Sequence, residues 1–221
     1  MPDLNRLLRE SPATVILIAI NLLIFLAQMS TGDSLTRLGV LYGPAVQDGQ
    51  WIRLLSSGFM HASLIHIAFN MALLYMLGSQ LEQGFGSLRF LLLYFGALFG
   101  GDLAVMLFNW TQPTLGASGA VLGLAGAFAL ALHQRGINPR QSPVFGLVIL
   151  NLGLPLLMPG VSFWGHFGGV VAGVVMAYLV IWLPARARSG GQNAALSLGA
   201  AGLAGFAVLS VMAAMAGGLT G

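Results

Sequence analysis

The 221-residue chain has no cysteine, which excludes disulfides, a thiol nucleophile and thiolate metal ligands. Charge of either sign is scarce. Asp, Glu, Lys and Arg make up 7% of the residues, where about a quarter is usual for a water-soluble globule. Lysine is absent, so the net charge of +3 comes from nine arginines over six acids. These arginines stand singly or in pairs, with no basic stripe to follow a phosphate backbone, so nucleic acid is not an expected partner. What remains is apolar: 57% of the chain is hydrophobic. Such a composition belongs to an all-α, multi-pass membrane protein whose length suits one compact bundle.

Apolar runs give the order of the spans. The first, Ala13–Met29, follows Arg6 and Arg9 as a signal peptide would, but it is long and no A-x-A-like site follows, so it reads as a retained span. Thr31–Phe59 is a long mixed connection carrying Asp33, Arg37, Asp48, Trp51 and Arg53, which predicts a structured loop; Trp51 and Arg53 read as anchors at the membrane interface. Further runs lie at His61–Leu81, Phe90–Phe108, Ser118–Leu132, Val144–Met158, His166–Leu183 and Leu196–Ala216. That predicts seven spans, the last appended to a six-span core (residues 1–184) by the polar linker Pro184–Asn193. Pro143, Gly146, Pro155, Pro159 and Gly160 make the fifth the least regular, and a candidate gate. With the N-terminus inside, the inner segments hold Arg6, Arg9, Arg89, Arg135, Arg140, Arg186 and Arg188, and the outer ones only Arg37 and Arg53. This bias fixes the expected orientation.

Three polar groups on three different spans fall in the outer third of the membrane. Ser118 opens its run within Gly116-Ala117-Ser118-Gly119-Ala120, where unpaired helix-start N–H groups can meet developing negative charge. The same pentapeptide also suits plain small-residue packing. His166 lies in Gly165-His166-Phe167-Gly168-Gly169; Gly165, Gly169 and Gly173 give a smooth face to which Gly119, Gly123 and Gly126 offer a counter-face. It reads as a base for Ser118 or as a ring bonded to a backbone carbonyl. His66 and Asn70 share one face at i, i+4, and both can donate to an oxyanion. A metal on His61 and His66 is the rival, poorly served by a spacing of five and no nearby carboxylate. Asp102, among glycines of the third run, is as well explained by a helix–helix hydrogen bond and stays outside the catalytic set. Glu82 and Arg89 flank an inner turn and read as a cap or a pair.

Together, HxSxxHxxxN at His61–Asn70, GASGA at Gly116–Ala120 and GHFGG at Gly165–Gly169, in that order, resemble the rhomboid family of intramembrane serine proteases. The resemblance covers about Trp51–Leu183 and implies a six-helix transmembrane bundle, here with one additional C-terminal transmembrane helix, the "six plus one" form. It implies Ser118 as nucleophile and His166 as general base. It places His66, Asn70 and the Ser118 N–H in the oxyanion hole, with His61 supporting them. The family's first loop usually carries adjacent Trp-Arg, whereas here Ile52 separates Trp51 from Arg53.

The expected substrates are single-span or polytopic transmembrane proteins, cut near the outer face by a site that opens to the outer side. No metal or organic cofactor is expected, and the expected location is the bacterial cytoplasmic membrane. An inactive rhomboid-like protein that binds membrane helices is the alternative. A small transporter would want paired half-helices in an internal repeat, and a soluble GxSxG hydrolase would want strands between its helices; neither is present.

Overall fold

The computed structural model describes residues 8–156, 161–186 and 191–219. Arg6, Arg188, Met158, Pro159, Gly160 and the middle of the Pro184–Asn193 linker, all used above, lie outside the described residues.

Among the described residues the regular elements are all helices. Five helices are long and apolar enough to cross a membrane: α1 (Pro12–Thr31), α5 (Leu64–Phe85), α6 (Ser87–Phe108), α9 (Phe163–Arg186) and most of α10 (Gly191–Met215). Between them come two shorter apolar helices, α7 (Ser118–Gln134) and α8 (Pro143–Gly153). At 1.5 Å per residue α7 is roughly 25 Å long and α8 roughly 16 Å, short of a hydrocarbon core of about 30 Å. Thus two of the seven expected spans are shorter than a full crossing. In α7 the cause is Gly116, whose φ of +120° cannot continue a helix, so the helix starts at Ser118. In α8 the chain tightens into a 3-10 turn at Leu154–Leu156, at Pro155, which has no N–H to donate.

The long connection is structured. It holds α2 (Asp33–Gly39), α3 (Gly43–Gln47), α4 (Arg53–Ser56) and a 3-10 turn at Ser57–Phe59. Arg53 corrects an expectation: it is no interface anchor but is 7% exposed, donating from Nη1 to the carbonyls of Arg37 (2.9 Å) and Val40 (2.8 Å) and from Nε to Gln50 Oε1 (2.7 Å). A planar guanidinium holds the two loop carbonyls with one nitrogen and Gln50 with another, which a single ammonium nitrogen would not. Trp51 is exposed.

Lipid is as apolar as leucine, so contacts between spans depend on close packing and hydrogen bonds more than on hydrophobic burial. The packing is built on glycine. A Cβ on Gly169 would lie 2.2 Å from the Gly119 oxygen, one on Gly173 2.0 Å from the Gly123 oxygen, and one on Gly126 2.7 Å from the Val170 oxygen, so the backbones of α7 and α9 touch. On its other side α9 meets α6, where a Cβ on Gly100 would overlap that of Ala172 at 2.0 Å. At the end of α5 away from His66, Glu82, 2% exposed, accepts from the N–H groups of Ala13 (2.9 Å) and Thr14 (2.8 Å) and the Thr14 hydroxyl (2.7 Å). It caps α1 from another helix, satisfying donors that have no partner within α1, and it does not pair with Arg89.

Candidate active site

Ser118 is the first residue of α7 and His166 lies in the first turn of α9, so both sit at the N-terminal ends of their helices. The glycine faces bring them together: Ser118 Oγ and His166 Nε2 are 2.9 Å apart. The other ring nitrogen, Nδ1, is 2.9 Å from the backbone carbonyl of Asn151 in α8. A carbonyl only accepts, so Nδ1 carries the proton. In the neutral ring Nε2 then presents a lone pair to the serine hydroxyl. The orienting part that a buried aspartate plays in a triad falls here to a peptide group.

His66 completes the cluster. A Cβ on Gly116 would stand 2.8 Å from His66 Nε2 and 3.7 Å from Ser118 Oγ, so a side chain at this position would fill the space both border. His66 Nδ1 accepts from the Ala62 N–H at the long limit of 3.5 Å, which leaves Nε2 as the protonated, donating nitrogen. Ser63 caps α5 by accepting from the His66 N–H at 3.2 Å. Asn70, one turn further along α5, is 4% exposed and its Nδ2 has no protein hydrogen-bond partner.

His61 precedes α5 and packs its ring edge-on against His66, with centroids 5.1 Å apart. It is 2% exposed, and apart from the Phe59 backbone its ring nitrogens have no protein partner. Burial, and then the neighbouring His66, push its pKa down to about 4, so the ring is neutral at pH 7. No group of three or more His, Cys, Asp or Glu converges among the described residues. Asp102 is 5% exposed and its Oδ2 lacks a partner; it is not the group on His166 Nδ1.

Two residues that matter here escaped the sequence reading. Gln28 of α1 accepts from the His61 N–H (3.0 Å) and donates to the His61 carbonyl (3.2 Å), pinning the turn that carries His61. Its signal was available: Thr14, Asn21 and Gln28 recur every seven residues in an apolar run, and all three are buried. The Asn151 carbonyl had no signal, because every residue has one.

The approach to Ser118 is tied to the outer loop. Leu41 and Thr114 exchange a pair of backbone hydrogen bonds, each 2.9 Å; the Gly43 N–H reaches the Trp110 carbonyl (2.8 Å) and the Gly116 N–H the Ser57 carbonyl (2.9 Å). Two cavities of about 370 and 490 Å³ lie at the opposite end, by Arg89 and Arg135, and neither is lined by Ser118 or His166.

Residues 48–183 match the Rhomboid domain family, and the chain belongs to that family. It is 32% identical over 172 residues to Rhomboid protease GluP of Bacillus subtilis, covering 74% of this chain and 34% of the relative. Over 161 residues it is 32% identical to RHOMBOID-like protein 6, mitochondrial, of Arabidopsis thaliana, covering 70% and 52% of the two chains. Rhomboid-type serine protease 2 of Emericella nidulans is 31% identical over 149 residues, covering 63% and 29%. The matched region thus spans between about a third and a half of these relatives. Family and apolar helices together make this an integral, multi-pass membrane protein.

Proposed function

We propose that this protein is an intramembrane serine protease of the six-plus-one form, and that Ser118 and His166 are its catalytic dyad. One observation carries the reading: the 2.9 Å contact from Ser118 Oγ to a His166 ring whose proton is held on the far nitrogen by the Asn151 carbonyl. Ser118 Oγ attacks a substrate carbonyl as Nε2 takes its proton. The oxyanion of the tetrahedral intermediate is met by the Ser118 N–H, His66 Nε2–H and Asn70 Nδ2, with His61 backing the His66 ring. The imidazolium returns the proton to the leaving amine, and water then cleaves the acyl-enzyme.

The substrate class follows from the depth of the site. A transmembrane helix hides its carbonyls in its own hydrogen bonds, so a segment loosened near the outer face by Gly or Pro is what this site can open. The segment enters beside α8, of which Val144 is the one buried residue. The arginine bias supports an inside N-terminus and an outward-opening site.

The test is cleavage of a panel of single-span substrates in proteoliposomes, with products read by mass spectrometry. Wild type is expected to cut and to be labelled at Ser118 by a serine-directed phosphonate; Ser118→Ala and His166→Ala are expected to insert normally and do neither. Cleavage by purified Ser118→Ala refutes the assignment. A folded wild type that neither cuts nor labels leaves a helix-binding protein.

A further inference from the structure

The last helix does more than flank the bundle. Ser210 of α10, fully buried, donates to the Phe206 carbonyl of its own helix at 2.8 Å and shares that proton with the Phe99 carbonyl of α6 at 3.2 Å, and Gly199 and Gly202 lie against Val180, Leu92, Met176 and Leu179. At the outer end, Ala213 and Ala214 are buried in a small core shared with Leu41, Val46 and Leu54 of the outer loop and Val105 and Met106 of α6. So α10 forms one wall of the core on which the outer loop rests.

Beyond α10 the chain folds back through two glycines in the left-handed region, Gly217 (φ 77°) and Gly218 (φ 71°). Their N–H groups return to the carbonyls of Ala214 and Ala213, each at 3.0 Å, and the Leu219 N–H crosses to the Leu107 carbonyl at 2.8 Å. Gly218 lies directly on Trp110: a Cβ there would fall 2.8 Å from the indole Cδ1 and 2.9 Å from the Met106 carbonyl oxygen. Gln47 of α3 donates to the Met215 carbonyl at 3.4 Å. Trp110 is therefore held between the tail of α10 and Gly43, where a Cβ would fall 2.5 Å from the indole ring.

Trp110 is the second residue of the connector that runs from α6 to Ser118, residues 109–117. The connector contains no helix, and a nucleophile must be held to within about 0.5 Å of its productive position. Its supports are the outer loop at Gly43, Leu41 and Ser57 and, through the Trp110 ring, the end of α10. We propose that the Gly217–Gly218 turn of α10 is a positioning element for the Ser118 connector, acting through Trp110. This rests on Ser118 being the nucleophile and adds a job for the seventh helix.

The test compares wild type, Gly218→Val, Gly218→Ala and Gly205→Val in proteoliposomes; a Cβ on Gly205 of α10 meets nothing within 4 Å. Rates are expressed per serine titrated by the phosphonate, which removes any unfolded fraction. Gly218→Val is expected to lose about tenfold or more in kcat with KM within about twofold, Gly218→Ala less, and Gly205→Val nothing, because misplacement of a reacting group by a fraction of an ångström is felt in turnover. Hydrogen exchange over residues 109–117 is expected to quicken in the Gly218 variants only. Wild-type kcat per titrated serine together with wild-type exchange in both Gly218 variants overturns the proposal, as does a loss confined to KM. Should the wild type neither cleave nor label, the protease reading fails while exchange over 109–117 still decides whether α10 braces the connector.

Discussion

Gly169→Ala adds one methyl group where the backbones of α7 and α9 touch. Its Cβ would lie 2.2 Å from the Gly119 carbonyl oxygen and 2.7 Å from its carbon, while carbon and oxygen normally approach no closer than about 3.3 Å. A carbonyl in a helix cannot swing aside as a side chain can, so the two helices must part by about 1 Å. Ser118 and His166 lie on those helices, three residues or less from the contact, and their 2.9 Å hydrogen bond would stretch toward about 4 Å, beyond bonding range. Overpacking of this kind costs about 1–3 kcal/mol of stability. A 1 Å error in a reacting pair costs about 10²-fold in rate. The expected result is a folded protein with a modestly lower melting temperature, about a hundredfold lower kcat and equally slowed phosphonate labelling. Gly205→Ala in α10, where an added Cβ meets nothing within 4 Å, is the control and should behave as wild type. Turnover within about threefold of wild type in Gly169→Ala would refute the reasoning, showing that the glycine contact does not set the dyad's geometry.

Other perturbations separate chemistry from scaffold. His66→Ala and Asn70→Ala should each lower kcat by about 10²–10³ with little change in melting temperature, measured by cleavage alongside thermal unfolding in micelles. Glu82→Ala should do the reverse: removing a buried acceptor of three α1 donors should cost about 2–4 kcal/mol by chemical unfolding, with unchanged turnover per titrated serine. Arg53→Lys should destabilise the loop by about 1–2 kcal/mol, because one ammonium nitrogen cannot stand where both Nη1 and Nε stand and either the carbonyls or Gln50 lose their donor; limited proteolysis of residues 31–60 would report it. His61 predicts a pH slope: its folded pKa is depressed to about 4 from 6.5, so between these values the unfolded chain binds the extra proton. Stability should be full above pH 6.5 and fall toward pH 4, by of order 3 kcal/mol, and His61→Phe should flatten that slope in unfolding curves at pH 7.5, 5.5 and 4.5.

The parts of this site that depend on local spacing were legible from residues alone. Small residues at i and i+4 mark a face that another backbone can approach, so Gly165, Gly169 and Gly173 could be matched to Gly119 and Gly123 before any coordinates. The long outer connection was expected to be structured and is. Groups that act far along the chain were not legible. Glu82 could be placed beside Arg89 by spacing, but besides the nearby Ser87 hydroxyl its partners are Ala13 and Thr14, brought to it only by the packing of α1 on α5. Arg53 looks like a snorkelling cation until the loop folds its own carbonyls around it. The short reach of α8 depended on a 3-10 turn that hydropathy does not register. Nothing in an Ala- and Gly-rich run announces that its far end lies against Trp110.

The Asn151 carbonyl bears on whether Asp102 is a hidden third member of a triad. In a serine–histidine–aspartate site the carboxylate holds the histidine tautomer and stabilises the imidazolium, and replacing it with the amide costs about 10⁴ in kcat because the tautomer is wrong. Here the tautomer is set by a backbone carbonyl that no side-chain substitution can protonate or invert, at 2.9 Å from Nδ1. Asp102, buried in α6 with Oδ2 unpartnered, contributes nothing to that bond. Asp102→Asn keeps the shape and removes the acid, so cleavage should stay within a few-fold of wild type. A loss of 10³ or more, at unchanged KM and with normal serine titration, would mean that Asp102 reaches the imidazolium during the reaction and that the dyad is a triad at work. The carbonyl supplies orientation without a charge, so the imidazolium is left less stabilised than beside a carboxylate. On the proposed mechanism the cost is a slower chemical step, and the gain is that no ionised acid has to be held beside the base within the membrane, where such charges are expensive.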